Sequence, residues 1–483
     1  MLSTLIQKEL RTIITGPKFV AAFAACSLLI LMSIYVGIVE YHQSQAQHQM
    51  TEQMNEEQMQ QFSTWRTVYT SVYRAPDPMR IFSSGIDYDI GRWSPVDHDE
   101  SVKLKNSAYS DDPIFAIFRI LDFTMIVQIV LSLFALVFTF DAVNGEKENG
   151  TLRLVFSNAV PRTTYLVSKV IGSLLGLIVP LLVPILLAML LVVAFGVHLE
   201  SSQWFRLAGL IAMSLIYVSL FVVVGVLMST VTRRSSLSFL LSLVVWIAFV
   251  LIIPRVGIMA AGHLSPVPRL AQVEGLRNGY AQEQWEAYYA GAEERFQATV
   301  NDDDSDAVAE VDMWATMELE DSLRNDIEAK IDAYEERLME DLDNRRHRQQ
   351  AVGFALARFS PAAAYQLAAM SLAGTNIGLK SNYQDAIADY RRDFLAYVDK
   401  KTAEAGPGEG AVMISMDSEN GMSINSPRSN SGVDAADRPR FVAPVYDYRS
   451  TIRSVMLDSG LLVLFMLVAF SAAYVSFLRF DVR

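Results

Sequence analysis

The sequence predicts an all-α polytopic membrane protein with six transmembrane helices, an N-terminal interfacial helix and two extracytoplasmic insertions, the second mainly helical. Three observations carry that prediction. The 483 residues are 52% hydrophobic yet 19% charged, a mixture suited to alternating spans and polar regions and not to one soluble core. Apolar runs at 19–39, 114–140, 166–197, 207–231, 237–253 and 455–478 reach or approach the roughly 18 residues that a membrane-crossing helix requires. The net charge of −13 is also unevenly spread: residues 257–450 hold 33 acidic against 19 basic residues, and 41–112 hold 11 against 6. Spans and short loops are therefore net basic.

Residues 1–16, MLSTLIQKELRTIITG, place Leu2, Leu5, Ile6, Leu10, Ile13 and Ile14 on one helical face, with Lys8, Glu9 and Arg11 on the other. That pattern predicts an amphipathic helix lying in the membrane interface. Gly16-Pro17 ends it and turns the chain into a first span over 17–40. Cys26 sits in FAAC, which resembles a lipoprotein cleavage site. The apolar run continues well past it, beyond the 7–15 residues of a removed signal, so an uncleaved span is expected. As the single cysteine, it also excludes an internal disulfide.

The first insertion, 41–112, starts as a Gln-rich helical continuation to about Arg74 and then becomes loop with room for a short strand. A second span is expected over 113–141, a polar loop over 142–164, and spans three to five within 165–256. The second insertion, 257–452, carries two long segments with apolar residues at three- and four-residue spacing and many opposite charges four apart. The break NDDDSD between them suggests an antiparallel helical pair. Ser360-Pro361 reads as a helix start, with a Ser cap and Pro at the first helical position. Residues 403–440, rich in Gly, Ser, Asn, Asp and Pro, read as a flexible loop. The last span and a short tail occupy 453–483.

Basic residues set the orientation. Lys8, Arg11 and Lys18 precede span one; Lys147, Arg153, Arg162 and Lys169 lie between spans two and three. Arg233 and Arg234 separate spans four and five, and Arg479 and Arg483 follow span six. With six spans all four groups share one side, so the positive-inside rule predicts both termini in the cytoplasm and both insertions outside.

Several chemistries are absent from the sequence. It has no GxxxxGK[ST] phosphate loop, no HExxH, no CxxC and no GxSxG. No catalytic residue, metal site or cofactor is expected. His42 and His48 with Met50, Met54 and Met59 hold soft and imidazole donors suited to copper, but methionines at this spacing more often form packing surface. The acidic balance disfavours binding of nucleic acid. Arg119 and Asp122, three apart near the outer end of span two, are candidates for a translocation path or for a plain interfacial ion pair. Pro180 and Pro184 in span three are candidates for a kinked, path-lining helix, although proline is common in membrane helices.

The most distinctive segment is the polar loop between spans two and three. Residues 146–157 can form a short helix with acidic residues early, Arg153 later and an apolar side at Leu152, Leu154, Val155 and Phe156. It reads either as an interfacial helix closing a hairpin or as a docking element for a cytoplasmic partner.

At this loop the sequence resembles the ABC-2-type transporter permeases. The resemblance rests on Glu146, Lys147, Glu148, Gly150, Thr151 and Leu152, then Pro161, Arg162 and Lys169, with LIQKELR at the N-terminus and the six spans. The two large insertions depart from ordinary members. IIPRVG after span five and FSPAAAYQ in the second insertion are similar to a subset with large extracytoplasmic insertions. The resemblance implies a bacterial inner-membrane exporter subunit that is not itself an enzyme. It implies two separate ATPase subunits as partners and a second permease, as homodimer or related heterodimer. The loop residues Glu146 to Arg153 with Pro161 and Arg162 would couple ATP hydrolysis to the spans. An alternative is an ATPase-driven device that moves the outer helices against a periplasmic partner without translocating a substrate. A membrane receptor or scaffold is the third reading.

Overall fold

The computed structural model describes residues 2–62, 64–97, 102, 104–105, 121–158, 160–300, 313–405, 413–417, 421–425, 437–444 and 448–479. Six of its helices are long and apolar enough to cross a membrane: Pro17–Gln61, Phe123–Glu148, Arg162–Ala194, Ser201–Val231, Ser235–Leu264 and Thr451–Leu478. The all-α polytopic class therefore holds. The chain divides into two compact units, one of residues 1–251 with 360–483 and one of 252–359.

In the larger unit, helix α1 (Leu2–Ile14) buries Glu9 and Ile13 and leaves most of its remaining surface exposed. Gly16 adopts extended backbone and Pro17 opens α2 (Pro17–Gln61), because proline supplies a helical φ and its missing N–H has no helical partner at that position. The second span begins at Phe123, capped by Asp122, whose Oδ1 accepts from Met125 N at 2.7 Å. It runs through a π-helical segment (Ile126–Leu131) into α3 (Ser132–Thr139). Short helices α4 (Asn144–Glu148) and α5 (Thr151–Ser157) form the following loop. Helix α6 (Arg162–Ala194) is the third span and α7 (Ser201–Val231) the fourth. A Glu200–Gln203 capping box starts α7, satisfying orphan backbone donors at its end. Helix α8 (Ser235–Trp246) then leads into a second π-helical segment, Ile247–Ile252.

Small residues set how closely these spans approach. A Cβ on Gly225 would lie 1.9 Å from Thr139 Oγ1, so α7 meets the second span at its backbone. A Cβ on Gly172 would lie 2.6 Å from Glu9 Cβ, which seats α1 directly on α6.

The first insertion differs from expectation in where helix ends. Helix α2 stops at Gln61, well short of Arg74, and an antiparallel ribbon follows, β1 (Thr70–Tyr73) with β2 (Trp93–Val96), pairing Thr70 with Val96 and Tyr73 with Trp93. The run TVYTSVY explains this, since β-branched and aromatic residues fit a half-buried strand better than a helix. Between the strands, Asp87 is buried among Arg74 and Arg80: it bonds Arg74 and lies 3.1 Å from Arg80 Nη1. Burial pushes its carboxyl up, but the two guanidinium groups outweigh that and hold it below the usual carboxylate range.

In the smaller unit, α9 (Ile253–Leu264) and α11 (Met313–Ala357) meet closely, with a Cβ on Gly257 only 2.9 Å from Ala357 N. Helix α10 (Leu270–Val300) runs antiparallel to α11, joined by Arg277 to Glu335 at 2.7 Å and by stacked Tyr280 and Tyr334 at 4.2 Å.

Returning to the larger unit, α12 (Pro361–Ala373) is the element whose place the sequence does not reveal. Ser360 caps it, accepting from Ala362 N at 3.1 Å and donating to Phe249 O. Its small residues are almost all buried, and Tyr365 stacks on Tyr217 at 4.6 Å while bonding Ser214 at 2.9 Å. Tyr217 lies halfway along the fourth span, so α12 reaches the middle of that helix, although its sequence placed it in the second outer insertion. At the other end of α12, Arg206 donates to Leu372 O at 2.6 Å. Helix α13 (Gly378–Ala405) turns back to the first insertion, where Ile387, Phe394 and Val398 join Met59, Trp65, Val68, Val72 and Val96 in one apolar cluster.

The expected loop at 403–440 holds a hairpin, β3 (Met413–Asp417) with β4 (Gly421–Asn425), whose serine and apolar positions alternate as a ribbon requires. The remaining 406–412, 418–420 and 426–436 lie outside the described residues. Helix α14 (Tyr448–Leu478) is the last span.

Candidate functional site

The loop between the second and third spans is fastened to four parts of the molecule. Glu146 is the hub. Its Oε1 accepts from Lys8 Nζ on α1 at 2.8 Å and from Lys169 Nζ on α6 at 2.9 Å, and its Oε2 accepts from Tyr165 Oη at 2.7 Å. Lys169 also bonds Glu9 at 2.6 Å, so two carboxylates and two ammonium groups alternate through a mostly enclosed cluster. Charges held this way keep their geometry, because breaking one contact strands its partner away from water.

Glu148 secures the other side. Its oxygens accept from Ser235 N at 2.8 Å and Ser235 Oγ at 2.7 Å, which caps the helix of the fifth span with a carboxylate at its positive end. Asn144 is fully buried and bonds Thr232 Oγ1 at 3.0 Å and Ser229 Oγ at 3.0 Å. The loop thus holds the short connection between spans four and five as well.

Helix α5 divides its residues by role. Leu152 is buried, and Phe156 packs on Tyr165 and on Phe477 near the end of the sixth span, with ring centroids 5.3 and 6.2 Å apart. Arg153 and Leu154 point the other way; Leu154 is 67% exposed, unusual for leucine. Thr151 is exposed, and its Oγ1 donates to Glu146 O at 3.2 Å. Gly150 stands at φ +72°, a left-handed conformation that glycine adopts without strain, and this sets the angle between α4 and α5. Lys147 is half-buried in α4. Pro161 precedes α6, and Arg162 donates to Leu478 O at 2.6 Å and to Phe477 O at 3.4 Å, binding the start of the third span to the last carbonyls of the sixth.

The sequence grouped these residues as one docking element. The structure separates them: Glu146, Leu152 and Arg162 hold the loop in place, while Arg153 and Leu154 are exposed. The fasteners Lys8, Glu9 and Phe477 lie far along the chain from the loop. The helical spacing that put Glu9 on the polar face of α1 was their only local signal.

The residues proposed for a path are more dispersed. Arg119 lies outside the described residues, so its pairing with Asp122 does too. Asp122 uses both oxygens locally, one as a helix cap and the other accepting from Ser84 N at 3.0 Å and Ser84 Oγ at 2.9 Å. Pro180 is half-buried and Pro184 buried, and α6 continues as helix through both. Of the residues considered for copper, Met59 is buried in the apolar cluster with Trp65 and Phe394 while Met50 and Met54 are exposed. No group of three or more metal-binding His, Cys, Asp or Glu side chains occurs among the described residues.

Compared with known proteins, residues 3–482 match the family model described as ABC-2 family transporter protein. No curated protein matches the chain.

Proposed function

Because the chain belongs to the ABC-2 family of transporter proteins and is a multi-pass permease subunit, we propose that it exports a substrate from the cytoplasm or inner leaflet of a bacterial inner membrane. Two separate ATPase subunits drive it, and a second permease, like or unlike, completes the path. The termini and the α4–α5 loop face the cytoplasm, as the basic residues of the short loops favour, and the insertions face outward.

One observation carries the coupling role. Helix α5 grips the spans with Leu152 and Phe156 while presenting Arg153 and Leu154 outward. An ATPase cleft that seats Leu154 would move α5 as a rigid lever, since Glu146, Tyr165 and Phe477 join the helix to α1 and to spans three and six. Nucleotide-driven closure of the ATPase pair would then reach the spans without passing through a flexible linker. Arg162 keeps spans three and six moving together.

The second reading, motion transmitted to an envelope partner without translocation, is favoured by the 45-residue α11 with its exposed ion pairs such as Lys330–Asp326 and Arg345–Asp341. Reconstitution with the cognate ATPase in sealed vesicles separates the two. ATP-dependent accumulation of a substrate supports export. Stimulated hydrolysis that moves nothing across supports force transmission, and absence of any ATPase partner removes both.

A further inference from the structure

Among the described residues two spans leave the α form partway along, at Ile126–Leu131 in span two and at Ile247–Ile252 in span five. The two spans run antiparallel. Ser238 Oγ donates to Phe140 O at 2.6 Å, and Trp246 Nε1 donates to Ser132 Oγ at 2.8 Å. Ser132 directly follows the first π segment and Trp246 directly precedes the second, so both segments lie on the same side of that contact.

Their causes differ. In span five, Pro254 has no N–H to offer Val250 O, four residues back, and bonding to the fifth residue passes over that gap. Span two has neither proline nor glycine from Phe123 to Val143. Side chains converge there on one carbonyl instead. Gln128 O accepts from Ser132 Oγ at 2.5 Å and from Tyr217 Oη of α7 at 3.0 Å. The N–H of Ser132, which an α-helix would pair with Gln128 O, turns to Val127 O and Ile129 O. Tyr217 is in turn held by α12, whose Tyr365 stacks on it at 4.6 Å and bonds Ser214 at 2.9 Å. Ser132, Tyr217 and Tyr365 are fully buried, out of reach of bulk water.

We propose that span two switches between this π form and a regular α form, and that α12, through Tyr217, sets which form is held. In the α form Gln128 O pairs with the N–H of Ser132, and Tyr217 is released. An i→i+5 turn takes one residue more than an i→i+4 turn. Taking up that residue turns one part of the span by about 100° against the other and shifts it by about 1.5 Å. The carbonyl is satisfied in either form, which makes the segment a two-state element. Span two continues to Glu148, so the turn reaches Glu146 and the α4–α5 loop. The use of the switch rests on the coupling role proposed for α5. Its existence does not, and is tested without an ATPase.

Hydrogen–deuterium exchange of the full chain in lipid nanodiscs, read by mass spectrometry, is the test. Tyr217→Phe keeps the ring stack and removes the hydroxyl. It should speed exchange in 126–131 roughly fivefold or more, the weight of one buried hydrogen bond. Tyr365→Leu should act in the same direction, since it frees Tyr217 from α12. The 247–252 segment, fixed by Pro254, should keep its wild-type rate in both. Deleting Val130 removes the surplus residue and leaves the flanking helices in their present register. In that chain Tyr217→Phe should no longer alter the same peptide. Wild-type exchange at 126–131 in Tyr217→Phe overturns the proposal. So does equal acceleration of both π segments, or acceleration that persists without Val130, because either is ordinary loosening of a packed core. If the shortened chain does not fold, the comparison of the two segments decides. Failure of ATPase docking would leave these rates untouched, so the two readings fail separately.

Discussion

The guanidinium of Arg162 donates to the carbonyl of Leu478 at 2.6 Å, so the first turn of the third span holds the last turn of the sixth across 316 positions of sequence. The contact ties both spans to the loop that precedes Arg162. From it and its neighbours follow outcomes that distinguish residues that hold the loop from residues that a partner would touch.

Leu154→Asp should leave the fold intact, because the side chain is 67% exposed. It should weaken association with the ATPase by about 2 kcal/mol, roughly thirtyfold, if Leu154 is a central anchor. Co-purification and stimulated ATP hydrolysis report this directly; unchanged values for both would remove α5 as the docking element.

Lys169→Met should destabilise the protein by about 3 kcal/mol, since Glu9 is then buried without its partner while Glu146 retains Lys8. Adding Glu9→Gln should restore most of that loss. Thermal unfolding in detergent of the two single variants and the double variant measures the coupling. Additive losses would mean the two residues do not act as a pair.

Gly172→Val would drive a side chain into Glu9, whose Cβ already lies 2.6 Å from where a Cβ would stand. Overpacking of this kind costs about 1–3 kcal/mol, and here α1 must lift from α6 to relieve it. Protease should then cleave α1 faster than in the wild type. Equal cleavage rates would show that the seat of α1 tolerates the added volume.

Acid should loosen the first insertion through Asp87. Its carboxyl is held below the usual range in the fold, so the unfolded chain takes up the proton first. The stabilisation is fully present above about pH 4, the unfolded aspartate value, and is lost as pH falls through the folded value. Asp77 contributes with the opposite sign, because burial raises its carboxyl despite Arg206. Asp87→Asn should therefore melt lower than the wild type at pH 7 and lose less on acidification. An acid limb as steep as that of the wild type would reject the assignment.

Helix α12 should be closed to water. Cys26 is buried at 3% exposure, which gives single-cysteine labelling a quiet background. A membrane-impermeant maleimide should label Ala403→Cys, which is exposed at the end of α13, and leave Ala368→Cys unlabelled. Rapid labelling at position 368 would place α12 in solvent.

How much of this could be read from sequence depended on the range of each signal. The six spans were legible because apolar runs are local. The α4–α5 loop was legible because its turn residues and charges are contiguous. Its fastening was not: Lys8, Glu146 and Lys169 meet across 138 and 23 positions, and no periodicity links them. The depth of α12 was hidden for another reason. Thirteen residues rich in alanine look the same in a water-facing bundle and beside a span, and only the contact of Tyr365 with Tyr217 decides. The Arg74–Arg80–Asp87 cluster was lost in an acidic average, since charge counting over 41–112 does not register where three residues converge.

The placement of α12 has a consequence for how the molecule is made. At about 20 Å, thirteen helical residues are too short to cross a hydrocarbon core of about 30 Å. Its apolar surface is buried against α7 and α14, as the near-complete enclosure of Tyr365 and its neighbours requires. But α14 is the last span to be synthesised, some 75 residues after α12. The burial of α12 is therefore complete only when the sixth span is in place, and a chain truncated before Tyr448 would leave the side of α12 that faces α14 uncovered.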